Sequence, residues 1–102
     1  MDINQTTGEI LRENREKKGL FLRQVAAMLD IDTAILSKVE RGERKATKEQ
    51  ILKLAKILNL NEEELLIHYL SDKIAYELVD EDVASQTLKV AEEKVEYLKS
   101  KK

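Results

Sequence analysis

Four cations, Arg41, Arg44, Lys45 and Lys48, stand within eight residues of one another. Guanidinium and ammonium groups at that density suit phosphate, because sequence-independent affinity for nucleic acid needs only cations and amides aimed at the backbone. The plain alternative for any charge run is a solvated face. No other grouping of side chains offers chemistry. The chain has no nucleophile beside a local base, no Gly-rich phosphate loop and no pair of histidines four residues apart. It also lacks cysteine, which excludes disulfides and thiolate metal sites. His68, the only histidine, reads as an ordinary helix residue. The carboxylates are plentiful but fall on helix faces that read as solvated. The residues point away from an enzyme, and neither a metal nor a cofactor is expected.

The cations need elements to position them, and the stretch from Leu22 to Gly42 supplies those elements. Val25, Ala26 and Leu29 recur at helical spacing, Ile31 follows, and Ile35, Leu36 and Val39 form a second helical stripe. Asp32 precedes that second stripe, where its carboxylate is expected to accept a hydrogen bond from the first-turn amides. The break from Asp30 to Asp32 is short enough for the tight connection of a helix-turn-helix unit. Ala26 is small where the two helices must cross. Gly42 stands where a left-handed residue would end the second of them.

The rest of the chain reads as helix too. Proline is absent, glycine occurs only three times, and Lys, Glu and Leu are abundant. Thr6-x-x-Glu9 predicts a capping box for a first helix that ends near Lys18, with Gly19 as its stop. The paired helices are expected at about Leu22 to Leu29 and Thr33 to Arg41. Thr47-x-x-Gln50 opens a fourth helix ending near Leu58. Asn61-x-x-Glu64 opens a fifth, running to about Val79, whose first-turn glutamates suit the helix dipole. A sixth spans roughly Asp82 to Lys99. At 102 residues the chain is one domain, or one domain with an appendage. No apolar run approaches the ~18 residues of a membrane span. Met1 to Leu11 lacks the basic start and apolar stretch of a signal peptide, so a soluble cytoplasmic protein is expected.

Gly19-Leu20, Arg23-Gln24-Val25-Ala26, Ile31, Ser37-Lys38-Val39-Glu40-Arg41-Gly42 and Ile51-Leu52-Lys53-Leu54-Ala55-Lys56 together form a pattern that resembles the phage-repressor type of helix-turn-helix regulator, the XRE family. The resemblance covers roughly residues 6 to 67. It implies an all-α chain with a five-helix lambda-repressor-like DNA-binding domain over 1–67; beyond it, 68–102 reads from its own apolar spacing as a C-terminal helical extension expected to serve dimerisation. It further implies a sequence-specific transcriptional regulator, a repressor or autoregulator, acting as a homodimer on double-stranded DNA with two-fold symmetry. Small members without a sensory domain include controller proteins of restriction-modification operons and antitoxins. The ~35 residues beyond the core are too few for a separate small-molecule domain.

The same resemblance assigns roles to residues. The exposed start and outer face of the third helix read bases, which maps onto Thr33, Ala34, Ser37 and Lys38. Lys38 can donate to guanine, Thr33 and Ser37 can bond several base edges, and the methyls of Thr33 and Ala34 can meet a thymine methyl. With no Arg, Gln or Asn at these positions, direct readout is expected to be modest and helped by DNA shape. Phosphates fall to Arg23, Arg41, Arg44, Lys45 and Lys48. Arg15 and Glu40 are expected to pair and fix the angle between the first and third helices. Two positions depart from the family. Phe21 replaces the polar residue that usually caps the second helix, leaving its ring to pack under the first helix or to face a partner. Ala46 replaces the usual proline after the third helix.

The charge and the last helix add detail. Net charge is −2, yet residues 1–60 hold 12 Lys/Arg against 9 Asp/Glu (+3) and residues 61–102 hold 6 against 11 (−5). A basic front and an acidic back would orient the protein toward DNA. Ala84, Leu88, Ala91, Val95 and Leu98 are spaced by four, three, four and three, with Val83, Val90 and Tyr97 repeating every seven beside them. Such a short heptad-like seam fits a dimer interface or a helix folded back on the fifth. The alternative function is an antitoxin or adaptor whose acidic C-terminal helices bind another protein, with DNA binding secondary. No membrane association is expected.

Overall fold

The computed structural model describes residues 2–102, and those residues form six helices and no strand. The helices are α1 (Thr7–Lys17), α2 (Leu22–Leu29), α3 (Thr33–Glu40), α4 (Lys48–Ile57), α5 (Glu62–Leu78) and α6 (Ala84–Ser100). The chain divides into two compact units, Met1–Asp72 and Lys73–Lys102.

Local chemistry sets most of the helix ends. The Thr47 hydroxyl accepts from the Gln50 amide at 3.1 Å, and the Gln50 side chain accepts from the Thr47 amide at 2.9 Å, a complete capping box. Asn61 accepts from the Glu64 amide at 2.9 Å. Thr6 accepts from the Glu9 amide at 3.1 Å, but the return bond from the Glu9 side chain is not made, so the expected box is half formed. Asp32 stands at the N-cap of α3, yet its carboxylate takes no hydrogen bond from the helix, contrary to expectation. Helix α3 ends one residue early, at Glu40, with Arg41 as its C-cap. Gly42 follows with φ +76°; its amide reaches the Val39 carbonyl, and the Glu43 amide reaches Lys38 at 2.9 Å. Only a residue at ease in the left-handed region closes a helix in this way. The turn between α2 and α3 is closed by the same bonds, with Asp30 (φ +57°) at the left-handed position and the Ile31 amide on the Ala26 carbonyl at 3.0 Å.

Leu11, Val25, Leu36, Ile51, Leu54 and Leu65 are the largest fully buried side chains, drawn from five helices onto one centre. Helix α3 packs on both α1 and α2, and α2 packs on α4. Ala26, 1% exposed, lies in this core, where its small size admits the close crossing. Gly8 makes the closest approach. A Cβ there would stand 2.5 Å from the carbonyl oxygens of both Val39 and Glu40, so α1 lies against the end of α3 at a distance only glycine permits.

The first turn of α1 is also held from α5. The Asp72 carboxylate accepts from the Thr7 amide at 2.8 Å and from its hydroxyl at 2.7 Å. Nε2 of the buried His68 donates to the Gln5 carbonyl at 2.7 Å, which makes His68 a structural residue. The Gln5 amide and Lys17 both reach Glu13, and these bonds hold its carboxyl below the usual range.

The unit Lys73–Lys102 is built differently. Among its described residues α6 buries none, and Ile74 and Leu78 of α5 with Leu88, Ala91 and Val95 of α6 line an open apolar groove of about 550 Å³. Of the expected seam, Ala84 is half-buried while Leu88, Ala91, Val95 and Leu98 are exposed.

Replacing Gly8 with alanine is expected to destabilise the first unit by about 1–3 kcal/mol, the usual cost of overpacking where backbone must yield. Urea unfolding of Gly8→Ala followed by circular dichroism measures it, and an unchanged midpoint would show that α1 can shift freely.

Candidate nucleic-acid interface

Helix α3 has two sides. Leu36, Val39 and Glu40 are buried, whereas Thr33, Ala34 and Lys38 are exposed and Ser37 lies half-buried at the margin between them. The four candidate base-reading residues therefore share the outer part of one short helix whose inner part belongs to the core.

What holds α3 at a fixed angle is polar. The Arg15 guanidinium donates from Nε to Glu40 Oε2 at 2.8 Å, from Nη2 to Glu40 Oε1 at 3.0 Å, and from Nη1 to the Leu20 carbonyl at 2.8 Å. Both side chains are largely removed from solvent, at 11% and 5% exposure. The fork-to-fork geometry fixes orientation as well as distance. The Glu40 carboxylate raises the Arg15 pKa above its ordinary value, against the opposing effect of burial, so the guanidinium stays charged. This is the pairing expected for Arg15 and Glu40.

The candidate phosphate-binding residues differ in how free their charges are. Arg44, Lys45 and Lys48 are exposed and form no ion pair among the described residues. Arg41 is also exposed, but its guanidinium is engaged by Glu43, so part of its charge is already met. Arg23 lies in the first turn of α2 with its guanidinium 4.6 Å from the centre of the Phe21 ring. Phe21 is 57% exposed, so of its two expected places the one under the first helix is not taken. The lost cap is partly replaced, since the Gln24 side chain accepts from the Phe21 amide at 2.8 Å while Phe21 itself offers no acceptor.

The basic loop does not hang free. Ala46 is buried, and its carbonyl accepts the hydroxyl of the buried Tyr69 on α5. Thr47 then begins α4 with its capping box, so residues 42–47 are held at both ends. Tyr69 was not among the sequence candidates, although its position four residues after Leu65 marks it as core. Gly8, Asp30 and Asp72 were also missed; the partners of Gly8 and Asp72 lie too far along the chain for any local signal.

A short exposed helix, locked to its neighbours by a buried ion pair and flanked by unpaired cations, is the arrangement of a protein that sets one helix into a DNA groove. The chain belongs to the helix-turn-helix family, whose sequence profile matches residues 11–65, in keeping with the XRE-type pattern. In fold it is similar to the clp gene regulator ClgR from Corynebacterium glutamicum, with a TM-score of 0.57 and 22% identity, over 96% of this chain and 90% of that one. No curated protein matches the chain. Among the described residues no helix is long and apolar enough to cross a membrane.

Glu40→Ala is expected to leave the Arg15 charge buried without its partner, at a cost of about 3–5 kcal/mol. Thermal and urea unfolding test this, and a loss below about 1 kcal/mol would mean that the guanidinium escapes to water.

Proposed function

We propose that this protein is a sequence-specific transcriptional regulator that binds a two-fold symmetric DNA site as a homodimer and represses or autoregulates a nearby operon from the cytoplasm. The observation that carries this reading is the outer side of α3, with Thr33, Ala34, Ser37 and Lys38 presented beside the unpaired cations Arg44, Lys45 and Lys48. Membership of the helix-turn-helix family supports the DNA-binding part of it.

In this reading Lys38 donates to guanine O6 or N7, and Thr33, Ala34 and Ser37 contribute short hydrogen bonds and methyl contacts. Such a set discriminates weakly by itself, so sequence-dependent shape of the duplex adds to the selection. Arg44, Lys45 and Lys48 bind phosphates and set the register. Arg23 contributes from the start of α2, and Arg41 contributes less because Glu43 competes for its guanidinium. Two recognition helices held about one helical turn apart, ~34 Å, would occupy two half-sites. The apolar face of α6, through Ala84, Leu88, Ala91, Val95 and Leu98, joins the copies. With DNA binding coupled to dimerisation, protein concentration itself sets occupancy.

Selection of bound sequences from a random duplex library, followed by titration at several salt concentrations, tests the whole reading. A palindromic motif is expected. Sequence-blind binding, or none, would overturn it. On the selected site Lys38→Ala should relax base preference by about 1–3 kcal/mol at one position of each half-site. Arg44→Ala with Lys45→Ala should instead weaken specific and random DNA alike and reduce the salt slope by about 2. Equal losses on both DNAs for Lys38→Ala would remove it from the reading set. Truncation after Val79 is expected to shift the protein to a monomer, and an unchanged mass by light scattering would place the interface elsewhere.

A further inference from the structure

The unit Lys73–Lys102 exposes more apolar surface than one helix-on-helix contact can use. Leu88, Ala91 and Val95 of α6 face the groove they share with Ile74 and Leu78. Val83, Val90 and Tyr97 do not line it, and they are 57%, 47% and 61% exposed. At 3.6 residues per turn these two sets occupy different flanks of α6, and Leu98 falls between them. Together they spread apolar side chains over roughly half the circumference of the helix, with Thr87, Lys94 and Lys101 interspersed. A helix with a single neighbour needs a stripe of only ~100°. An isolated helix of this length is marginal in water and draws its stability from packing an apolar face, yet α6 buries no residue. The second flank calls for a second neighbour.

We propose that this neighbour is the end of α5 from a second copy of the chain. Two pairs of α5 and α6 segments then close into a four-helix bundle. Leu88 and Val95 of each α6 occupy the centre of the bundle, meeting both their own α5 and the second copy, while Val83, Val90 and Tyr97 pack on the other copy's α5. Charge favours a second copy as the occupant. The groove is edged by Glu77, Glu92 and Glu96 against Lys99 alone. The second flank of α6 carries Lys94 and Lys101, with the Lys101 ammonium 5.3 Å from the centre of the Tyr97 ring. The acidic edge of one copy thus meets the basic flank of the other. Six cations against seven acids in residues 73–102 leave the unit nearly neutral, so two copies approach without net repulsion. Two-fold closure uses both exposed flanks at once and leaves neither open. The inference rests on the homodimer reading and adds to its seam a second set of residues, Val83, Val90 and Tyr97.

Sedimentation equilibrium of the full chain tests it. The wild type and Ser85→Glu, on the polar side of α6, should be dimers, while Leu88→Glu and Val90→Glu should both be monomers at the same concentration. Because either buried charge could also unfold α6, the charge pair supplies a second measurement. Lys94→Glu and Glu77→Lys should each weaken the dimer about tenfold, and the double variant should restore it. A monomeric wild type, a dimeric Val90→Glu beside a monomeric Leu88→Glu, or a double reversal that fails to restore association would each overturn the bundle. The duplex selection is independent of these results. A bundle confirmed with no palindromic motif removes the regulator reading and leaves the bundle standing. A palindromic motif bound by a dimer indifferent to Val90→Glu does the reverse.

Discussion

The ion pair between Arg15 and Glu40 is the contact on which the orientation of α3 depends. Glu40 ends α3 and Arg15 lies near the end of α1, so their two parallel hydrogen bonds fix one helix against the other. A third donor of Arg15 reaches the Leu20 carbonyl and brings the entry to α2 into the same grip. Such a pair adds little net stability, since both ions give up water to form it. Its contribution is direction, because a bidentate fork tolerates little rotation. Gly8 brings α1 against the same end of α3, so geometry and electrostatics act on one point.

Around that point the structure separates rigid support from free charge. Buried apolar side chains take up the inner part of α3, the capping box of α4 and the Tyr69 hydroxyl hold the loop that follows, and the exposed cations are left with few partners inside the protein. This division suits recognition of a polyanion, since cations already paired internally would have to break those bonds before meeting phosphate. Arg41 illustrates the exception, being engaged by Glu43. Lys38 is on the free side too, exposed and in no ion pair among the described residues.

Much of this was legible in the chain itself. Helix positions followed from the spacing of Val25, Leu29, Leu36 and Val39 and from local signals such as Thr47 with Gln50 or Gly19 and Gly42, because helices and their caps are decided within a few residues. The family pattern supplied the pairing of Arg15 with Glu40 and the outer side of α3. Local signals did not settle every helix start. Asp32 occupies the cap position without capping, Glu9 does not return the bond from Thr6, and Phe21 leaves its capping to Gln24 and its ring to Arg23.

By itself the sequence determined the all-helical character, the tight turn between α2 and α3, the cationic loop and the heptad spacing of the last helix, since each depends on neighbours within about two turns. Tertiary structure alone decided that Gly8 lies against the carbonyls of Val39 and Glu40, that Asp72 binds the start of α1 and that Tyr69 ties down Ala46. It also decided that α6 has a second apolar flank outside its groove. The partners in the first three contacts lie more than twenty residues apart in the chain, and only the packing of the helices around a shared core brings them within bonding distance.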